Sequence, residues 1–229
     1  MADTVDDFWQ VLIPKEYPYS GDLLKRVPVP GFFQSPSHSI AVESAGSVSG
    51  LVKSTGLTKS ALRSRWKEVS SMGVMADADW TSHPSERFQR LKEDLRGIGL
   101  PISASAPGEI SGGPPRMGIY VFPDNRRQGT LEDLLDECAG QVYPSLLTSA
   151  RRFVGGVDRA VLTAEDVEEV AKPSGEIKAT LGCMASFLRP TKTLQVSVTD
   201  NRWLCDETLA LDNIRSVHSF LVELLGLDA

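Results

Sequence analysis

The sequence predicts an α/β fold: a mostly parallel sheet flanked by helices, with a helical C-terminal extension. Three observations lead there. In the first half, short apolar runs rich in β-branched residues alternate with runs whose apolar residues recur every three or four positions, the pattern of strand–helix–strand units. In the second half the helical period and helix-start signals dominate. The chain has 229 residues, 41% of them apolar, enough for one substantial core with a smaller appendix. The division falls near residue 140, giving a core over 1–140 and an extension over 141–229 packed on it.

Taken in order, "QVLIP" (10–14) is a short apolar run closed by Pro14 and reads as a first strand. "GDLLKRV" (21–27) is a helical turn or two, broken by Pro28, Pro30 and Gly31. "SIAVES" (39–44) alternates and is the second strand. Residues 47–69 are helical in parts, with Gly50 and Gly56 as interruptions. "SMGVMAD" (71–77) is a buried strand. "PSERFQRLKEDLRGIG" (84–99) is the clearest helix: Phe88, Leu91, Leu95 and Ile98 form one apolar stripe, Pro84 suits the first turn, and Gly97 or Gly99 the end. The prolines and glycines of 101–116 make a loop or an irregular hairpin, and "MGIYVF" (117–122) is the next buried strand. Thr130 with Asp133 is a capping-box signal that starts a helix. Further helices are expected over 142–155, 163–171, 174–188 and 213–225, the last closed by Gly226. "TLQVSVTD" (193–200) reads as a short strand or an extended link.

Several function classes are disfavoured. No stretch of about 18 apolar residues exists, so no membrane span is expected. The acidic start "MADTVDDFWQ" lacks the apolar segment of a secretory signal, which points to the cytoplasm. Cys138, Cys183 and Cys205 form no CxxC pair and are odd in number, as for buried thiols in a reducing compartment. A net charge of −6 argues against coating nucleic acid by charge alone, while leaving room for an enzyme that handles it. Neither a Gly-Lys-Ser/Thr phosphate loop nor a G-x-S-x-G elbow is present. Of the three histidines, His218 lies inside the last helix, His38 precedes a strand, and His83 follows Asp79 by four residues.

In open α/β sheets, ligands bind beyond the carboxyl ends of the strands. On that edge the chain places Glu16, then Asp77 and Asp79, then Asp124 and Asn125. Strand residues two apart point the same way, with Cα atoms roughly 6–7 Å apart, so Asp77 and Asp79 are expected to face one point. Two carboxylates ~5 Å apart at an effective dielectric of ~20 repel by about 3 kcal/mol. A divalent cation turns that repulsion into attraction, and Mg²⁺ prefers oxygen ligands. Plainer readings stand beside this one: a solvated turn for Asp77 and Asp79, an Asx turn for Asp124, and helix-dipole preference for Glu132 and Asp133. Arg126 and Arg127 serve either to neutralise Asp124, to grip a phosphate, or simply as solvated loop residues.

"GVMADADW…ERFQRLKEDLRGIGLP", followed by "MGIYVFPDN…GTLEDLL", resembles an uncharacterised bacterial Toprim-like family, in which a strand ending in D-x-D precedes an arginine-rich helix, a second strand ends in P-D-N, and G-x-L-E-D opens the next helix. The likeness spans roughly 39–226 and relates the chain to nucleases of the overcoming-lysogenisation type. It implies Mg²⁺ or Mn²⁺ and chemistry on phosphodiesters of nucleic acid. Asp77 and Asp79 would be catalytic and hold the metal, with Asp124 and Glu132 beside them. Glu16 would transfer protons, and Arg126 and Arg127 would position the nucleic-acid backbone. Members of this family are linked to ATPase partners in defence against phage. One departure matters: the family's first strand ends in a V-E-G-like turn, whereas this chain has "VLIPKEYPYSGDLLKRV", without the Gly and with Pro14 and Lys15 intruding. The alternative is therefore a catalytically degenerate scaffold that binds a partner protein such as an ATPase.

Overall fold

Two apolar strands form the centre of the molecule. The computed structural model describes residues 5–13, 15 and 29–227. Strand β3 (Ser71–Asp77) and strand β5 (Arg116–Phe122) pair in parallel, from Ser71 opposite Arg116 to Asp77 opposite Phe122. A two-residue strand, β4 (Ile110–Ser111), joins the other edge of β5 antiparallel. The sheet is thus mixed, with one parallel and one antiparallel pair in the order β3-β5-β4. The expected second strand does not join it: β2 (Ser39–Val42) pairs with β1 (Gly31–Gln34) as a separate antiparallel hairpin.

The expected first strand is also replaced. Gln10–Leu12 is a single 3₁₀ turn. The Asp6 carboxylate accepts the Phe8 N–H and the Asp6 carbonyl accepts the Trp9 N–H, so a side-chain-led turn begins just upstream and diverts the chain from extended structure. Glu16 and the expected helical turn over 21–27 lie outside the described residues.

Alternation along the paired strands sends side chains to two faces. On one face Val74, Ala76, Ala78, Ile119 and Val121 pack against Phe88, Leu91 and Leu95 of helix α2 (Pro84–Gly97). Helix α1 (Val48–Leu62) adds Val48, Leu51 and Val52, and it runs unbroken through Gly50 and Gly56. On the other face Gly73 lies opposite Gly118. These two glycines leave room for helix α9 (Asp212–Leu225): a Cβ on Gly118 would stand 2.8 Å from the Phe220 ring, and one on Gly73 only 2.5 Å from Leu224. The last helix therefore covers the second face of the sheet.

The remaining helices build a core of their own. Helices α3 (Leu131–Val142), α4 (Pro144–Gly155) and α6 (Gly175–Leu188) enclose Trp203, which is fully buried among Leu135, Ala139, Leu147, Leu181 and Met184. Its indole N–H donates to the buried Ser197 hydroxyl at 3.0 Å, so the large polar–apolar ring is satisfied at both ends. Helices α5 (Ala164–Ala171), α7 (Leu194–Asp200) and α8 (Asp206–Leu209) complete this part. Helix α7 replaces the extended segment expected over 193–200. Thr193 caps it by accepting the Val196 N–H, and Leu194 and Val198, four apart, both reach the Trp203 cluster. Capping and tertiary burial outweigh the β-branched composition. Among the described residues no helix is long and apolar enough to cross a membrane.

Candidate functional site

Strand β3 stops pairing regularly at Asp77. The Ala78 N–H still reaches the Phe122 carbonyl at 3.1 Å, but Asp79 turns into the left-handed region with φ +60° and exchanges backbone hydrogen bonds with Gly129 at 2.9 and 3.1 Å. The two-residue rule for strands therefore does not carry from Asp77 to Asp79. The two carboxylates take different hydrogen-bond partners.

Asp77 Oδ1 accepts the Leu131 N–H at 2.8 Å. That amide opens helix α3, so the carboxylate sits at the positive end of a helix. Asp79 Oδ2 lies 2.5 Å from an Arg87 guanidinium nitrogen on α2, and the Arg87 side chain is only 11% exposed. Arg87 Nε is buried without a partner. His83, the other residue near Asp79 in sequence, serves as the N-cap of α2.

Glu132, one residue into α3, comes to the same strand end. Its Oε1 is 2.5 Å from Lys178 Nζ on α6, while its Oε2 is buried with no hydrogen-bond partner. The Thr130 hydroxyl lies close by but donates to Asp133, which also accepts the Thr130 N–H. Burial pushes the Asp77 carboxyl up, against the pull of the Leu131 N–H; the charges of Glu132 and Asp79 push the same way as burial, and Lys178 opposes them. Burial also opposes the charge on Glu132, but Lys178, helped by the nearby Thr130 hydroxyl and the Glu132 N–H, outweighs it and holds that carboxyl below its ordinary value. Asp77, Asp79, Glu132 and Lys178 are thus one electrostatic group.

Asp124 is committed to its own loop. Its Oδ1 accepts the N–H groups of Arg126 and Arg127 at 2.9 and 2.8 Å, and its Oδ2 accepts Arg127 Nε at 2.7 Å. Burial works against its charge, yet these donors prevail and hold the carboxyl below the usual carboxylate range. Arg127 also pairs with Glu137, and Arg126 is exposed. Among the described residues no hydrogen bond or ion pair links Asp124 to Asp77, Asp79 or Glu132. Asn125 completes the local motif: at φ +65° its Oδ1 accepts the Val121 N–H at 2.7 Å, a side chain standing in for a neighbouring strand. The P-D-N stretch therefore finishes β5.

Among the described residues no three His, Cys, Asp or Glu side chains are gathered closely enough to hold a metal ion between them. The arrangement that does fit a cation is smaller. Mg²⁺ commonly keeps several waters and takes only one or two carboxylates, with phosphate oxygens supplying the rest. Asp77 and Glu132 offer two such carboxylates: among the described residues each has one oxygen that accepts no hydrogen bond, that of Glu132 being buried. A cavity of about 1250 Å³ runs beside β3, bounded by β2, α1 and α9, and reaches Asp77, Asp79 and Leu131.

Two residues of this group are not among the sequence candidates. Arg87 carried a signal, because it stands four before Leu91 and three after Pro84, on the buried stripe of α2. A charged residue there needs a partner. Lys178 carried none, since its partner lies 46 residues away.

Residues 19–224 match the model of a family described as "Protein of unknown function (DUF3226)". No curated protein and no solved structure matches the chain.

Proposed function

We propose that this chain, which belongs to the DUF3226 family, is a Toprim-like protein that takes up Mg²⁺ or Mn²⁺ at the carboxyl end of β3 and acts on phosphodiesters of nucleic acid. The observation that carries the reading is the pairing of Asp77 with Glu132: two carboxylates from different elements, one held up by burial, the other with a buried oxygen that has no partner. Leaving such an oxygen unsatisfied costs roughly 1–3 kcal/mol, more for a charged group. A functional role is one physical reason for a structure to tolerate that cost.

Each residue has a distinct part. Asp77 and Glu132 would hold the ion. When bound, such an ion polarises a phosphate and lowers the pKa of a water. Asp79 is fixed by Gly129 and Arg87 beside that place. Arg87, nearly buried, serves to hold Asp79 in place there. Arg126, exposed on the loop after β5, suits the backbone of a nucleic acid farther out. Glu16, which lies outside the described residues, would be the proton-transfer group that the Toprim resemblance implies. The test is Mn²⁺-dependent cleavage of single- and double-stranded DNA and RNA by the wild type and by Asp77→Asn. Cleavage that the substitution reduces by at least about a hundredfold supports the reading; cleavage equal in both proteins removes Asp77 from it.

A second reading is a degenerate scaffold that binds a partner protein, such as an ATPase. Its support is that Asp79, Glu132 and Asp124 are each already neutralised by a cation of the chain itself. No cleavage of any substrate, together with no Mn²⁺-induced rise in Tm, favours the scaffold.

A further inference from the structure

The ion pair between Glu132 and Lys178 joins α3 to α6 across 46 residues of sequence, and it engages only one of the two carboxylate oxygens. Lys178 is half-exposed whereas Glu132 is largely buried, with side-chain exposures of 51% and 18%. The ammonium therefore approaches from the solvent side and can withdraw to it, while the carboxylate cannot. Its charge reaches Asp77 as well as Glu132. Lys178 thus pairs directly with one of the two carboxylates suited to a divalent cation and acts through its charge on the other.

We propose that Lys178 is a built-in counter-ion that occupies the acidic strand end and competes with divalent cations for it. The inference rests on the cation reading above. In the cation-free protein Lys178 offsets the mutual repulsion of Asp77 and Glu132. On cation uptake it leaves Glu132 for solvent, an exchange its long flexible stem permits. The chain then binds cations weakly until the incoming ligand also brings phosphate oxygens, which couples metal uptake to substrate. A competing ion pair worth about 1 kcal/mol corresponds to a five- to tenfold weakening of cation binding.

The experiment is Mn²⁺ titration by calorimetry, with parallel melting curves, on the full chain as wild type, Lys178→Gln, Lys178→Met and Asp77→Asn. Both Lys178 variants are expected to bind Mn²⁺ about five- to tenfold tighter than the wild type. They should also melt below it without metal and regain most of the difference with Mn²⁺. Binding by the Lys178 variants alone, with none in the wild type, supports the same conclusion. If the wild type binds Mn²⁺ and Asp77→Asn does not, but the Lys178 variants bind no tighter than the wild type, the counter-ion role is wrong and the cation site stands. If none of the four proteins binds Mn²⁺, both fall.

Discussion

Asp77 is buried enough to resist ionisation, yet it holds the Leu131 N–H and has Glu132 and Asp79 for company. Its pKa in the folded chain therefore lies above its unfolded value. Between those two values the folded state carries the extra proton, so stability falls as pH rises through the window and stays lower above it. Asp77→Asn keeps an oxygen for Leu131 and removes the charge. Its Tm at pH 7 should be at least that of the wild type, and its melting profile should lose the decline through the carboxylate range. A variant that melts well below the wild type would make Asp77 a structural residue. Glu132 has the opposite sign: its lowered carboxyl stabilises the fold above the ordinary value and loses that contribution as pH drops through the folded one. Glu132→Gln should accordingly lower Tm at pH 7 and lose its difference from wild type in acid. Cys138 offers an independent check on burial. Burial, with some help from the nearby Glu137 charge, raises its thiol to about 11. In the native protein at pH 8 it should stay unreactive toward a thiol reagent that labels all three cysteines after unfolding.

At the scale of elements, some boundaries were written in the sequence and others were not. β3, β5 and α2 were legible because their apolar patterns agree with their burial: short continuous apolar runs for the two central strands, and Phe88, Leu91 and Leu95 at helical spacing for the helix. α7 was not, because "LQVSV" carries the composition of a strand and only the Trp203 cluster makes the helix preferable. The turn at Asp79 was equally hidden. The D-x-D spacing implies two side chains on one side only if the strand continues, and the φ of +60° ends it. What holds that turn is the bridge to Gly129, which has φ +141° and leaves no room for a Cβ, since one would lie 2.7 Å from Asp133 Oδ2. Gly129→Ala should cost about 1–3 kcal/mol, read as a lower urea midpoint, and should disturb cation binding with it. On the opposite face, Gly118→Val would press on the Phe220 ring and cost about 1–3 kcal/mol without touching the acidic end. Urea titration of both variants separates the two effects.

Across the whole molecule, one sheet is clad on one face by α1 and α2 and on the other by α9, while α3 links it to the helical core around Trp203. This arrangement explains why the candidate residues were readable one by one but their association was not. Asp77 comes from the sheet, Glu132 from the first turn of α3, Lys178 from α6 and Arg87 from α2. Their meeting depends on packing among elements that no local spacing records. The P-D-N stretch shows the reverse: a motif conspicuous in the sequence whose Asp124 and Asn125 are used by their own loop and strand. The measurement that bears most directly on the acidic end is calorimetric titration of Mn²⁺ into the wild type, Asp77→Asn and Glu132→Gln. Saturable binding to the wild type that weakens by tenfold or more in both variants is the expected result. Binding left intact in both, or absent from the wild type and the Lys178 variants alike even with a nucleic-acid ligand present, would contradict a cation site built from these two carboxylates.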